Sequence, residues 1–160
     1  MNSLTRSQRA FTLVELMLAL SVAAILLGVG VPSFNTMIKN NRLAVVTNEA
    51  IGAFNFARTE AFKRGNLVHI ADVGGGNSWV VWVDGDADDT WDQGEEIRIW
   101  SSVPEGVSVT TTNGFIVFDS SGLANSTETV TVCDDRSGES GSELSLLLSG
   151  SISVGKISCS

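Results

Sequence analysis

The sequence predicts an α+β fold, with one long N-terminal helix, transmembrane in its first half, packed on a C-terminal antiparallel β domain. Three observations predict it. From Phe11 to Val31 run 21 residues with a single charge, and about 20 apolar residues cross a bilayer as helix. Beyond Pro32 apolar residues recur at helical spacing as far as Gly65. After Gly65 the texture changes to short β-rich runs separated by Gly, Asn, Asp and Ser clusters.

The first ten residues, "MNSLTRSQRA", are polar and basic, with Arg6 and Arg9 and no acid. Basic residues ahead of an apolar span keep that end cytoplasmic, so the chain after Pro32 is expected on the far side of the membrane. A secretory signal would place small residues at a cleavage site after the span, whereas this one ends "LLGVGVPSF". Residues 11–31 therefore read as a retained transmembrane helix. Inside it stands Glu15, and an ionised carboxylate surrounded by hydrocarbon is costly unless a charge meets it.

Pro32 is expected to loosen the helix without ending it. Phe34, Ile38, Leu43, Val46, Ala50, Phe54, Ala57 and Ala61 are three to five positions apart, so residues 32–64 read as an amphipathic continuation of the same helix. Lys63, Arg64 and Gly65 provide its stop. Residues 65–160 form the β-rich domain. Its runs are "LVHIADV", "SWVVWVD", "EEIRIWSSV", "VSVTTT", "FIVFD", "TVTVCD", "ELSLLLS" and "SISVGKIS".

From Ser33 onward there are 8 Lys and Arg against 17 Asp and Glu, a net of −9. An acidic body repels phosphate backbones and argues against nucleic acid as a partner. The two cysteines, Cys133 and Cys159, are expected to pair if the domain lies outside the cytoplasm, the alternative being two buried thiols. Two Cys and one His argue against a zinc site of the Cys/His type.

In "DGDADDTWDQGEE", Asp84, Asp86, Asp88, Asp92 and Glu95 fall at positions one, three, five, nine and twelve of an EF-hand template. Position six, which demands Gly, is Asp89, and the segment follows a strand. The competing readings are a solvated acidic hairpin loop and a calcium site of non-EF geometry; no other cofactor is expected. Trp79, Trp82, Trp91 and Trp100 surround this hairpin and, without interleaved basic residues, read as packing rather than as a base-stacking platform. His69 lies in an alternating run, and no nucleophile motif accompanies it, so no catalysis is expected. "VGGGNS" lacks the Lys-Ser/Thr of a phosphate loop and reads as a turn.

The arrangement "A-FTLVEL" resembles the class III (type IV) prepilin signature: basic leader, small residue, aromatic methylation target, Glu five places on, then the apolar helix. In order, "NNRL…NEA…ARTEAFKRGN", "WVVWVDGD", "QGEE" and "VTVCD" resemble the GspH/FimT group of minor pilins and pseudopilins. Together the two resemblances cover essentially the whole chain. They imply the pilin fold and a non-enzymatic subunit that primes or caps a type IV pilus or a type II secretion pseudopilus. They also imply cleavage between Ala10 and Phe11 by a prepilin peptidase, methylation of the new Phe11 amine, and pairing of Glu15 with the terminal amine of a neighbouring subunit. Ala10 departs from the usual Gly. The implied setting is the bacterial inner membrane with a periplasmic domain, and the implied partners are other major and minor pilins or pseudopilins.

DNA-binding members of this group carry "GRxR" near the C-terminus. The matching stretch here is "GSIS", Gly150 to Ser153, with Lys156 the nearby cation. A DNA receptor for natural transformation is accordingly the disfavoured alternative. An unprocessed membrane anchor with an adhesive domain is another.

Overall fold

The computed structural model describes residues 11–73, 78–86, 88–100, 103–138 and 140–159. Helix α1 spans Leu13–Arg64 and contains Pro32. Among the described residues eight strands follow: β1 Val68–Val73, β2 Ser78–Trp82, β3 Glu96–Ile99, β4 Val107–Thr111, β5 Phe115–Phe118, β6 Glu128–Asp134, β7 Ser140–Leu146 and β8 Ile152–Ser158. Each of the eight β-rich runs overlaps one of them, with β6 beginning one residue and β7 three residues ahead of its run. The chain divides into two units, one ending at Ile38 and one comprising Lys39–Ser160.

In the second unit all strand pairings are antiparallel and form two four-stranded sheets, ordered β3-β2-β1-β5 and β4-β6-β7-β8. β4 and β5 are neighbours in sequence but belong to different sheets. The turn between them is held by Glu128, which is 2% exposed. Its carboxylate accepts backbone N–H bonds from Thr112 at 2.6 Å, Asn113 and Thr129 at 3.1 Å and Gly114 at 3.2 Å. Thr112 N–H also reaches the Thr129 carbonyl at 3.1 Å, so the carboxylate chiefly holds Asn113 and Gly114 where the chain leaves one sheet for the other; a hydrogen bond to a charged group is worth about 1.5–3 kcal/mol.

The core lies between the helix and both sheets. α1 contributes Leu43, Val46, Ala50, Ala53, Phe54, Ala57 and Ala61; the first sheet adds Val68, Ile70, Trp79, Val81, Ile116 and Phe118; the second adds Val130, Val132 and Leu144. Apolar side chains at this spacing cover one helix face. The small residues Ala50, Ala53, Ala57 and Ala61 are fully buried, so the strands approach the helix closely there. The buried stripe begins at Leu43. Phe34 and Ile38, expected to belong to it, are exposed and lie in the first unit.

Arg58 fastens the helix to the end of the β7–β8 turn, donating to the carbonyls of Ser149 and Gly150, both at 3.2 Å. Gly150 has a φ of 72° and abuts the Gly122 carbonyl, where a side chain would collide with backbone.

Cys133 of β6 and Cys159, just past β8, form a disulfide with Cα atoms 5.8 Å apart. Because β7 lies between β6 and β8, the bridge crosses the middle strand. It crosses at Gly141.

Candidate functional site

The N-terminal end of α1 is built by a local capping pattern. Thr12 precedes the helix, and its Oγ1 accepts the Glu15 backbone N–H at 3.2 Å. Thr12-Leu13-Val14-Glu15 has the T-x-x-E spacing of a capping box, a signal that the sequence reading missed. It sets the helix start at Leu13, two residues after Phe11, where the sequence reading began the helix. Glu15 also occupies the first turn, where the helix dipole favours an anion. Phe11 is 78% exposed. The helix is long and apolar enough to cross a membrane, and none of its most apolar stretch is buried in the structure. Ala10 lies outside the described residues, as does Gly74–Gly76 of the glycine turn.

The acidic loop between β2 and β3 is a second polar concentration. Asp84, Asp86 and Asp88 each offer a carboxylate oxygen within 4.8 Å of the other two. The charge of Asp88, followed by partial desolvation and a hydrogen bond with Asp84, pushes the Asp86 carboxyl above its ordinary range. Glu95 faces another way: its Oε1 accepts the Gly85 N–H at 2.7 Å and its Oε2 the Asp92 N–H at 3.2 Å. The loop thus brings together three of the five template residues and uses Glu95 to brace its own backbone. Asp89, at the template's glycine position, adopts a φ of 59°. Among non-glycine residues, Asp tolerates this left-handed conformation better than most.

A different partner approaches the loop from β1. His69 is 2% exposed and pairs across the ladder with Trp82. Its ring centroid lies 5.3 Å from that of Trp82 and 5.5 Å from that of Phe115. A His69 ring nitrogen, an Asp84 oxygen and an Asp89 oxygen are all within 4.8 Å of one another. Burial holds the imidazole below its ordinary pKa, against the raising pull of Asp84, Asp89 and Glu95.

Trp79 packs on Phe54 at 5.1 Å between ring centroids, in the core. Trp100 behaves otherwise. The Arg98 guanidinium carbon stands 4.6 Å from its ring centroid and 5.5 Å from that of Phe56. The sequence reading found no aromatic–basic interleaving, yet "RIW" on a strand places Arg98 and Trp100 on one face by its period of two. In the Gly150–Ser153 stretch, Gly150 is engaged by Arg58 and Ser151 Oγ lies 2.8 Å from Ser149 Oγ.

The family described as type II transport protein GspH matches residues 46–151, and the prokaryotic N-terminal methylation motif matches residues 5–31. No curated protein matches the sequence significantly. Among solved structures, the type IV minor pilin FimU of Pseudomonas aeruginosa PAO1 in space group P21 is similar with a TM-score of 0.64 and 16% identity, over 74% of this chain and 92% of that one. A second crystal form of FimU, in space group P65, gives a TM-score of 0.60 and 15% identity, over 70% and 91% of the two chains. At such identity the likeness is one of fold.

Proposed function

The chain belongs to the GspH family, among the minor pilins and pseudopilins, and on that premise we propose that it is a non-catalytic filament subunit that primes or caps a type IV pilus or a type II secretion pseudopilus. In this reading a prepilin peptidase cleaves between Ala10 and Phe11 and methylates the new amine. The apolar half of α1 anchors the subunit in the inner membrane, with residues 65–160 periplasmic, until it enters the filament. Other pilins or pseudopilins then replace lipid around the helix.

One observation carries the reading: the exposed apolar stretch of α1 up to Val31, whose sole acid, Glu15, stands in the first turn beside exposed Phe11. In hydrocarbon the carboxylate needs a cation, and a cleaved neighbour supplies an α-ammonium. The net charge of −9 from Ser33 onward, with Ser151 and Ser153 in the stretch where DNA-binding members carry Arg, does not favour the DNA-receptor alternative.

The test compares wild type with Glu15→Ala and Glu15→Asp by abundance in the membrane and in sheared filaments, with N-terminal mass analysis of each. Wild type should begin at N-methylated Phe11. Glu15→Ala should be cleaved, remain in the membrane and be depleted from filaments, and Glu15→Asp should be intermediate. Equal incorporation of Glu15→Ala, or functional filaments retaining residues 1–10, would overturn the reading.

A further inference from the structure

Two cysteines, joined in a disulfide, and one histidine make no Cys/His zinc site, but carboxylates also ligate zinc. The fold adds two carboxylates to the chain's single histidine. His69 comes from β1, and Asp84 and Asp89 come from the loop after β2, so the cluster exists only once the β1–β2 hairpin has formed. The three residues share a cleft of about 320 Å³ with Asn66, Leu67 and Val83.

Two further observations separate this cluster from an ordinary acidic loop. His69 is almost wholly buried, and its Nδ1 has no hydrogen-bond partner among the described residues. Buried polar side-chain atoms are nearly always satisfied, and an exception calls for a ligand or another explanation. Asp89, for its part, is the one non-glycine residue among those described that holds a positive φ. That conformation places a carboxylate-bearing residue where a turn of this kind ordinarily takes glycine. The Asp89 N–H donates to Asp84 Oδ2 at 2.9 Å, which ties the two acids together, and each has a carboxylate oxygen within 4.8 Å of a His69 ring nitrogen.

We propose that His69, Asp84 and Asp89 bind a divalent first-row transition-metal cation through one imidazole nitrogen and two carboxylate oxygens. Calcium takes six to eight oxygen ligands and little nitrogen, whereas imidazole with carboxylates suits zinc and its neighbours. A tetrahedral ion with bonds of about 2.0–2.1 Å needs ligand atoms roughly 3.3 Å apart. From a cluster already within 4.8 Å, rotation of the two aspartate side chains closes that gap. The dication neutralises two adjacent carboxylates, leaves a fourth position for water, and staples the β2–β3 loop to β1. The all-oxygen set Asp84, Asp86 and Asp88 is the rival, and it would favour calcium.

The test uses the tag-free full chain in detergent, stripped with chelator and titrated with ZnCl₂, CoCl₂ or CaCl₂. One Zn²⁺ per chain should bind and raise the melting temperature, and Co²⁺ should give the visible absorption of a nitrogen-containing tetrahedral site. His69→Gln, Asp84→Asn and Asp89→Asn should each weaken Zn²⁺ by at least the roughly 10–100-fold typical of losing a supporting partner. Asp89→Asn tolerates the same backbone conformation and should leave the metal-free melt unchanged, which guards against misfolding of the His69 variant. Asp86→Asn and Asp88→Asn should bind zinc as wild type does. No zinc binding by wild type, equal binding by Asp89→Asn, or Ca²⁺ binding lost in Asp86→Asn with no zinc site would overturn the proposal.

Discussion

Gly141 lies directly beneath Cys159: a Cβ on Gly141 would stand 2.5 Å from Cys159 Sγ, 3.0 Å from Cys133 Sγ and 2.6 Å from the Val132 carbonyl. The bridge closes a separation of 26 residues, worth about 3–4 kcal/mol in the chain-entropy model. It can cross β7 only where that strand has no side chain. Gly141→Ala is expected to destabilise the oxidised protein by about 1–3 kcal/mol, the range of overpacking. The cost should shrink, without vanishing, in a Cys133→Ala/Cys159→Ala background, because the Val132 carbonyl remains. A double-mutant cycle by denaturant unfolding measures the coupling. A cost unchanged by removal of the bridge would show that the Val132 carbonyl of β6, not the disulfide, excludes the side chain.

Glu128→Ala should cost about 1.5–3 kcal/mol, because it removes the buried charged acceptor that holds the Asn113 and Gly114 N–H groups at the β4–β5 turn. Glu128→Gln keeps one acceptor oxygen and should cost less. Urea unfolding of both variants ranks them, and hydrogen exchange at Thr112, Asn113 and Gly114 should quicken first in the Ala variant.

Acid should loosen the junction between the start of the buried helix and the β6–β7 turn. The Asp134 carboxyl lies below its ordinary pKa, chiefly through its bond to Arg136 (Nε at 2.8 Å), with Lys39 adding attraction. The Asp135 carboxyl is lowered by its contact with Lys39 at 2.6 Å. A depressed folded pKa means that the unfolded chain binds the proton first. These pairs therefore stabilise the fold at neutral pH, and their contribution is lost as pH falls below about 4, the unfolded carboxylate value. Asp134→Asn should be less stable at pH 7 and show a shallower loss between that pH and the acid limit. Melts across pH 2–7, chosen to span roughly the carboxylate range, would check it. Parallel curves for variant and wild type would remove Asp134 from the acid transition.

Thr12→Ala separates helix capping from charge pairing. Loss of an N-cap costs about 0.5–2 kcal/mol locally, and it leaves the Glu15 carboxylate in place. Filament incorporation should therefore survive Thr12→Ala and fall in Glu15→Gln, which retains the shape of Glu15 but not its charge. The same shearing assay reads both. Equal defects would make Glu15 a capping residue.

The strands were legible because each apolar run is bounded by residues that end strands, and the buried part of α1 was legible from Leu43 onward by its period. The sheet order was not. Thr111 and Phe115 are separated by three residues, which reads as a hairpin, yet β4 and β5 join different sheets and buried Glu128 holds the turn between them. That acid is 14 to 16 positions from the N–H groups it holds, beyond the reach of any local pattern. The acidic loop was found by its template, but the template looked along the chain and not across to His69. Arg98 over Trp100 was visible in the strand period and was overlooked.

β8 is an edge strand, and edge strands are where sheets fray or accept foreign strands. This one is fastened at both extremities. Cys159 is tied to β6 past its last residue, and the turn before its first residue is clasped by Arg58 through Ser149 and Gly150. Fraying from either end therefore first requires breaking a covalent bond or a helix contact, which raises the cost of opening β8 above that of a strand held by its ladder alone. The fastening acts on the strand as a whole, so swapping β8 with a neighbour's copy would first require the bridge to be reduced.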